Sequence, residues 1–300
     1  MLDHNVRPRS HKAIAAGKQV LDVVVEHAEF KHVLDTALDL IETMRSLRVP
    51  SGLLLQAEPG MGKTLLLELI SRRLSKAAAD QSRGICLHIQ LDSAVDTHRL
   101  AALVAQALGF PRLPTRQSLD NLNHMVAAGM ERRRPCALLI DEAQHVCEGN
   151  RDLTARAVTD WLKVRMDQFN LPVICAGTQR LERLSVINQQ FTSRASFDYA
   201  LTPLVYGDGW RQLLGAFVEC VDVADLSVIS GPLARPIHAA TAGNLRSLKK
   251  LLAYGAMRAA ECAGSKLTSD HLRLAYEEAR GQAQGAANPF TDLPKVRSAA

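Results

Sequence analysis

Residues 51–70, SGLLLQAEPGMGKTLLLELI, join a short apolar run, a tight turn holding Gly60 and Gly62, and a helical pattern opened by Lys63 and Thr64. That order suits the binding of phosphates. Successive backbone N–H groups wrap the oxygens, a helix N-terminus adds its positive dipole end, and lysine neutralises the β/γ charge. Pro59, Gly60, Met61, Gly62, Lys63, Thr64 and Leu65 are the expected cradle of a nucleoside triphosphate. Ala57 stands where such loops usually begin with glycine, which is tolerable if that residue needs no positive φ. A second piece of chemistry lies in CALLIDEAQ at 136–144. Asp141 and Glu142 close an apolar run, the place where a parallel sheet presents ligand-binding groups. Asp141, opposite the Thr64 hydroxyl, is expected to hold Mg²⁺ through water, and Glu142 to orient or deprotonate an attacking water. In VICAGTQR, Thr178 is placed to hydrogen-bond that water or the γ-phosphate.

Two arginines complete the set. Arg194 precedes a last apolar run at 197–201 and could reach the γ-phosphate bound by a neighbouring subunit, with Arg180 and Arg183 as rivals and a surface ion pair as the alternative. Arg246, in TAGNLRSLKKLL, opens a helix after a Gly-Asn break, where a lid domain could set it over the nucleotide of its own subunit. Lys249 and Lys250, just beyond, read as solvated.

These groups need a scaffold, and the pattern supplies one. Strand-like runs at 52–56, 85–91, 136–140, 172–176 and 197–201 alternate with helical stretches, which predicts an α/β fold with a parallel sheet covered on both faces. One helix is marked by Asp96 as cap, an apolar stripe from Leu100 to Leu108, and Gly109 with Pro111 at its end. Past about residue 207 only helical patterns remain. The expected division is a basic flexible arm at 1–22, a nucleotide-binding domain at 23–205, a helical lid at 206–283 and a flexible tail at 284–300. The six cysteines show no metal-binding spacing, so those in strand-like runs (Cys86, Cys136, Cys175) read as buried thiols. No apolar run approaches bilayer length and no secretory core opens the chain, so a cytoplasmic location without a membrane partner is expected. A net charge of +5 permits a polyanion partner.

Taken in order, the loop at 57–64, Asp141-Glu142, Thr178, Arg194 and Arg246 resemble the AAA+ ATPases across about residues 25–283. The resemblance implies a P-loop module with a five-stranded parallel sheet between helices, followed by a small all-helical lid. Within that superfamily the chain is most similar to TniB/TnsC-type transposition regulators, relatives of MuB. The likeness rests on the ALGFP helix end, LLIDEAQHV, SRASFDYALTPL, GNLRSLKKLL and the NPF of residues 288–290. That family implies ATP hydrolysis and head-to-tail self-association into a helical or ring oligomer on double-stranded DNA. It also implies target selection, with recruitment of a transposase and a TniQ-like targeting protein. Strand transfer would then belong to the partner. Arg112 and Arg116, and the run Arg132, Arg133 and Arg134, are the candidates for phosphate contacts with DNA or, failing that, solvated faces. The NPF tail reads as a docking peptide or a disordered end. A helicase loader or other replication remodeller, and a secretion or signalling ATPase, are the alternative functions.

Overall fold

The computed structural model describes residues 8–81, 84–92, 95–111, 117–148, 152–195, 197–280 and 287–291. It divides into two compact units, residues 29–202 and residues 1–28 with 203–300.

The first unit is a parallel sheet of β1 (Gly52–Ala57), β2 (Cys86–Gln90), β3 (Ala137–Asp141), β4 (Val173–Gly177) and β5 (Phe197–Leu201), in the order β2-β3-β4-β1-β5. The register is parallel throughout, with Leu54 beside Cys175 on one side and Asp198 on the other. Strands β1, β3 and β4 are buried along their whole length, as expected of strands covered on both faces. All five stand within a residue or so of the expected runs, because buried parallel strands are short, apolar and bounded by turns.

Helices α2 (Ala28–Leu47), α3 (Lys63–Gln81), α4 (Thr97–Ala107), α5 (Leu119–Arg133) and α6 (Asp152–Phe169) flank the sheet, with short α7 (Arg183–Ile187) and α8 (Gln189–Arg194) leading into β5. Asp96 caps α4 as expected, its carboxylate accepting from the Arg99 N–H at 2.7 Å. One core joins Leu87, Ile89, Leu138, Ile140, Val173 and Cys175 of the sheet to Leu100, Val104, Val126, Val158 and Leu162 of α4, α5 and α6. The order β4-β1 at the centre puts the ends of β1, β3 and β4 side by side, and those ends carry the candidate chemistry.

The second unit is helical: α1 (His11–Asp22), α9 (Asp208–Cys220), α10 (Ala234–Thr241), α11 (Leu245–Ala260) and α12 (Ser269–Arg280). Trp210, Leu214, Phe217, Leu248, Leu252, Ala256 and Leu272 form its core. Trp210 is fully buried and its indole N–H donates to the Ala234 carbonyl at 3.0 Å. Trp210→Ala should therefore remove both packing and a satisfied donor, lowering the stability of this unit by about 3–5 kcal/mol in a urea titration. A loss under about 1 kcal/mol would show that the indole is not part of this core.

Four expectations need correction here. The N-terminal segment is not an arm where it is described: Ser10 caps α1, and Ala13, Ala16, Gly17 and Val20 are buried in the helical unit. Small residues on one face let α1 approach α11 closely, so that Gly17 faces Met257 directly. Arg9 and Lys12, read as arm charges, bond to Glu278 and Ser265. The described part of the tail is also docked, with Phe290 3% exposed and edge-on to Tyr276. Finally, Lys249 and Lys250 are tethered to the carbonyls of Leu21 and Ala279, which the ends of α1 and α12 leave without intrahelical partners. Burial holds the Lys249 amine below its ordinary value. Cys86, read as buried, is half-buried, while Cys136 and Cys175 are buried as expected.

Candidate functional site

The phosphate loop leaves the C-terminal end of β1. Gly60 and Gly62 each adopt φ 90°, the left-handed region closed to most side chains. Ala57 ends the extended strand and keeps a negative φ, so its methyl is accommodated without strain. Lys63 is 6% exposed and its Nζ donates to the Ala57 carbonyl at 3.3 Å, folding the ammonium back over the loop. Met61 is buried beneath, Pro59 and Thr64 face solvent, and Leu65 is half-buried. Phe30 of α2 packs on Gly62 from the outside, a contact that its place in an apolar stripe does not announce.

Asp141 ends β3 with no exposed surface. One carboxylate oxygen accepts from the Thr64 hydroxyl at 2.7 Å, and the other from the Glu142 N–H at 2.8 Å. Glu142 follows in the left-handed region, φ 54°, so the chain turns sharply and its side chain leaves the strand direction. The two expected acids and the hydroxyl are thus gathered at one end of the sheet.

A residue absent from the sequence-based set links them to β4. Buried Gln144 donates its amide to the Glu142 carboxylate, while its carbonyl accepts from the Thr178 N–H at 3.1 Å. Gly177 makes room for it, since a β-carbon there would stand 2.6 Å from the Gln144 carbonyl. The Thr178 hydroxyl is itself buried without a hydrogen-bond partner among the described residues. A buried hydroxyl left unpaired costs about 1–3 kcal/mol, which a bound acceptor or water would recover.

Among the described residues, no three His, Cys, Asp or Glu side chains converge as a metal cage. The Thr64–Asp141 oxygen pair suits instead a hard cation such as Mg²⁺, which draws its remaining oxygens from phosphates and water. Alongside, Gln56 of β1 donates to both Asp198 oxygens at 3.1 Å, and burial lifts the Asp198 carboxyl above its usual range against that bond.

The arginines are scattered. Arg180 and Arg183 follow β4 at the same end of the sheet and pair with Glu148 and Asp152. Arg194 stands at the opposite end, before β5, where the Ser51 hydroxyl donates to its carbonyl at 2.9 Å and Asp167 holds its guanidinium at 2.8 and 3.0 Å. Arg246 lies in the first turn of α11, in the helical unit, behind the Asn244 cap. The run 132–134 is divided: Arg132 lies 5.6 Å over the Phe110 ring, Arg133 covers Gly109, and Arg134 takes the left-handed residue after α5. Arg112 and Arg116 lie outside the described residues.

Comparisons agree with this architecture. An Aeropyrum pernix ORC2 protein, solved as ADPNP–ADP complexes, aligns with TM-score 0.69 at 15% identity over 87% of this chain and 71% of its own. The Aeropyrum pernix ORC1 protein in complex with DNA gives 0.64 at 18% identity over 90% and 69%. Drosophila ORC bound to DNA gives 0.66 at 15% identity over 94% and 70%. At these identities the likeness is one of fold, that of the AAA+ modules. No curated protein sequence matches. The model of the bacterial TniB protein covers residues 18–200, from α1 to the last strand and through every acid, hydroxyl and glycine gathered at the loop. The chain belongs to the TniB family.

Proposed function

We propose that this protein is an ATP-driven switch that assembles on double-stranded DNA, marks a target there, and recruits a transposase together with a TniQ-like targeting protein. The observation that carries the reading is the hydrogen-bonded chain from Thr64 through Asp141 and Glu142 to Gln144 and Thr178. Such a chain sets a metal-binding oxygen pair, a base and an unpaired hydroxyl around one phosphate loop.

In this reading the loop amides and Lys63 take up the triphosphate charge. Thr64 and Asp141 would hold Mg²⁺, which when bound neutralises charge on the phosphate oxygens. Glu142 accepts the proton of the attacking water, with Gln144 fixing its carboxylate. Thr178 offers its hydroxyl to that water or to the γ-phosphate. Arg194 stands at the far end of the sheet from its own loop, which suits a group serving the nucleotide of the next copy after release from Asp167. Arg246 would close over the nucleotide from the helical unit. Head-to-tail contacts of this kind give a ring if the rotation closes and a helix if it does not. Hydrolysis would then release the assembly.

The basic charge of the chain favours DNA, and no described helix is long and apolar enough to cross a membrane. A bacterial, cytoplasmic and DNA-associated setting follows from this reading. The likeness to origin-recognition proteins is one of fold, and so lends the replication-remodeller alternative no separate support. Negative-stain microscopy of the protein with ATP and duplex DNA should show ordered rings or filaments that disappear without nucleotide. Absence of nucleotide-dependent DNA binding at low salt would overturn the proposal.

A further inference from the structure

At the end of the sheet opposite the phosphate loop, α2, α5 and α6 terminate around a cavity of about 410 Å³. Arg45, Arg48 and Arg134 line it, with Glu131, Phe169 and Asn170. None of the three guanidiniums makes a hydrogen bond or ion pair with a described residue, although Arg45 lies close enough to favour the Cys136 thiolate. The formal balance of three arginines against one glutamate leaves the cavity positive. The Asn170 carbonyl oxygen is buried there without a partner among the described residues.

Arginines at helix ends often answer the negative end of the dipole. Dipole compensation does not explain where these arginines stand. Arg48 and Arg134 are left-handed, at φ 54° and 44°, and Asn170 joins them at φ 48°. Glycine or asparagine is the easy residue at such a helix-ending position, and another side chain costs of order 1 kcal/mol. Two left-handed arginines and an unpaired acceptor thus surround one hollow, and backbone strain of this kind clusters at functional sites.

We propose that this cavity is a second phosphate-binding site, separate from the phosphate loop, for a nucleotide unit. The guanidiniums take the phosphate, a hydroxyl or amino group donates to Asn170, and Phe169 offers an apolar face. Its volume lies within the range of about 300–1,000 Å³ typical of small-ligand sites, and arginine forks match phosphate oxygens in pairs. The phosphate can come from a free nucleotide or from the backbone of DNA.

The test uses the full chain carrying Lys63→Ala, which silences the phosphate loop, with and without Arg48→Gly and Arg134→Gly. Glycine relieves both left-handed positions, so the added changes should leave the melting temperature unchanged or higher. AMP titrated by calorimetry should bind the Lys63→Ala chain and lose at least about tenfold in affinity with the two glycines, which identifies a free nucleotide. If duplex DNA is the source, its affinity for the chain with Lys63 intact and ATP present falls on adding the two glycines, and the slope against log salt drops by about 1.8, the share of two phosphate contacts. Binding of both probes unchanged by the two glycines, AMP to the Lys63→Ala chain and duplex DNA to the chain with Lys63 intact, overturns the proposal, as does the absence of AMP binding together with unchanged DNA binding.

Discussion

With glutamine in place of Glu142, ATP turnover falls by about a hundredfold or more while ATP itself still binds. The size follows from removing a general base, whose contribution is typically about 10²–10⁴-fold. Glutamine keeps the shape and can still meet the Gln144 amide through its own carbonyl, so the fold and the metal pair on Asp141 should survive. The expected consequence is a protein that builds its DNA-bound assembly and cannot dismantle it. Phosphate release under saturating ATP measures the first effect, and the lifetime of filaments after dilution measures the second. Hydrolysis at the parental rate would remove Glu142 from the role of base.

Replacing Lys63 with alanine acts one step earlier. The ammonium is almost fully buried and lies over the loop through its bond to Ala57, so it presents a positive charge at low dielectric to the incoming triphosphate. Losing that charge-assisted contact should weaken ATP binding by about a hundredfold or more, equivalent to about 3 kcal/mol. DNA assembly should vanish with it. A nucleotide competition assay gives the affinity directly. Retained tight ATP binding would contradict the phosphate-loop reading, and lost assembly with intact ATP binding would place the lysine in the subunit interface instead.

The loop, both acids and all five strands are legible in the sequence because each rests on a local constraint. Gly60 and Gly62 stand where only a left-handed backbone closes the turn. Asp141 ends an apolar run, and a buried parallel strand has no other plausible place for it. Gln144 was not legible. It lies two residues beyond Glu142, and its value depends on the Thr178 N–H arriving from a different strand. A glutamine buried at 5% exposure would be the signal, but burial is not written in one sequence. The same holds for Asn170, whose orphaned oxygen exists only once three helices end together.

The helix α1 failed for another reason. Counting Arg7, Arg9, Lys12 and Lys18 gives the segment a polar character, yet Ala13, Ala16, Gly17 and Val20 recur at helical spacing with small side chains. Small residues carry little hydropathy, so a charge count outweighs them. Their effect comes from how closely they let another helix approach. The run 132–134 shows the converse: Arg132 and Arg133 are successive residues of α5, about 100° apart, while Arg134 leaves the helix in the left-handed region, so three adjacent arginines face different neighbours.

The packing of Gly17 against Met257 brings together residues roughly 240 positions apart. During synthesis at about 5–20 residues per second, α1 must wait some 12–50 s for its partner to be made. Until then only α9 and the turn after it, which meets Gln19 at Asp222, offer α1 a partner from its own unit, and the strands of the other unit are completed first. Helix α1 is thus made early and fastened late. Deleting α1 would therefore loosen α11, made roughly 240 residues later, while the strands of the nucleotide-binding unit are complete before that partner exists.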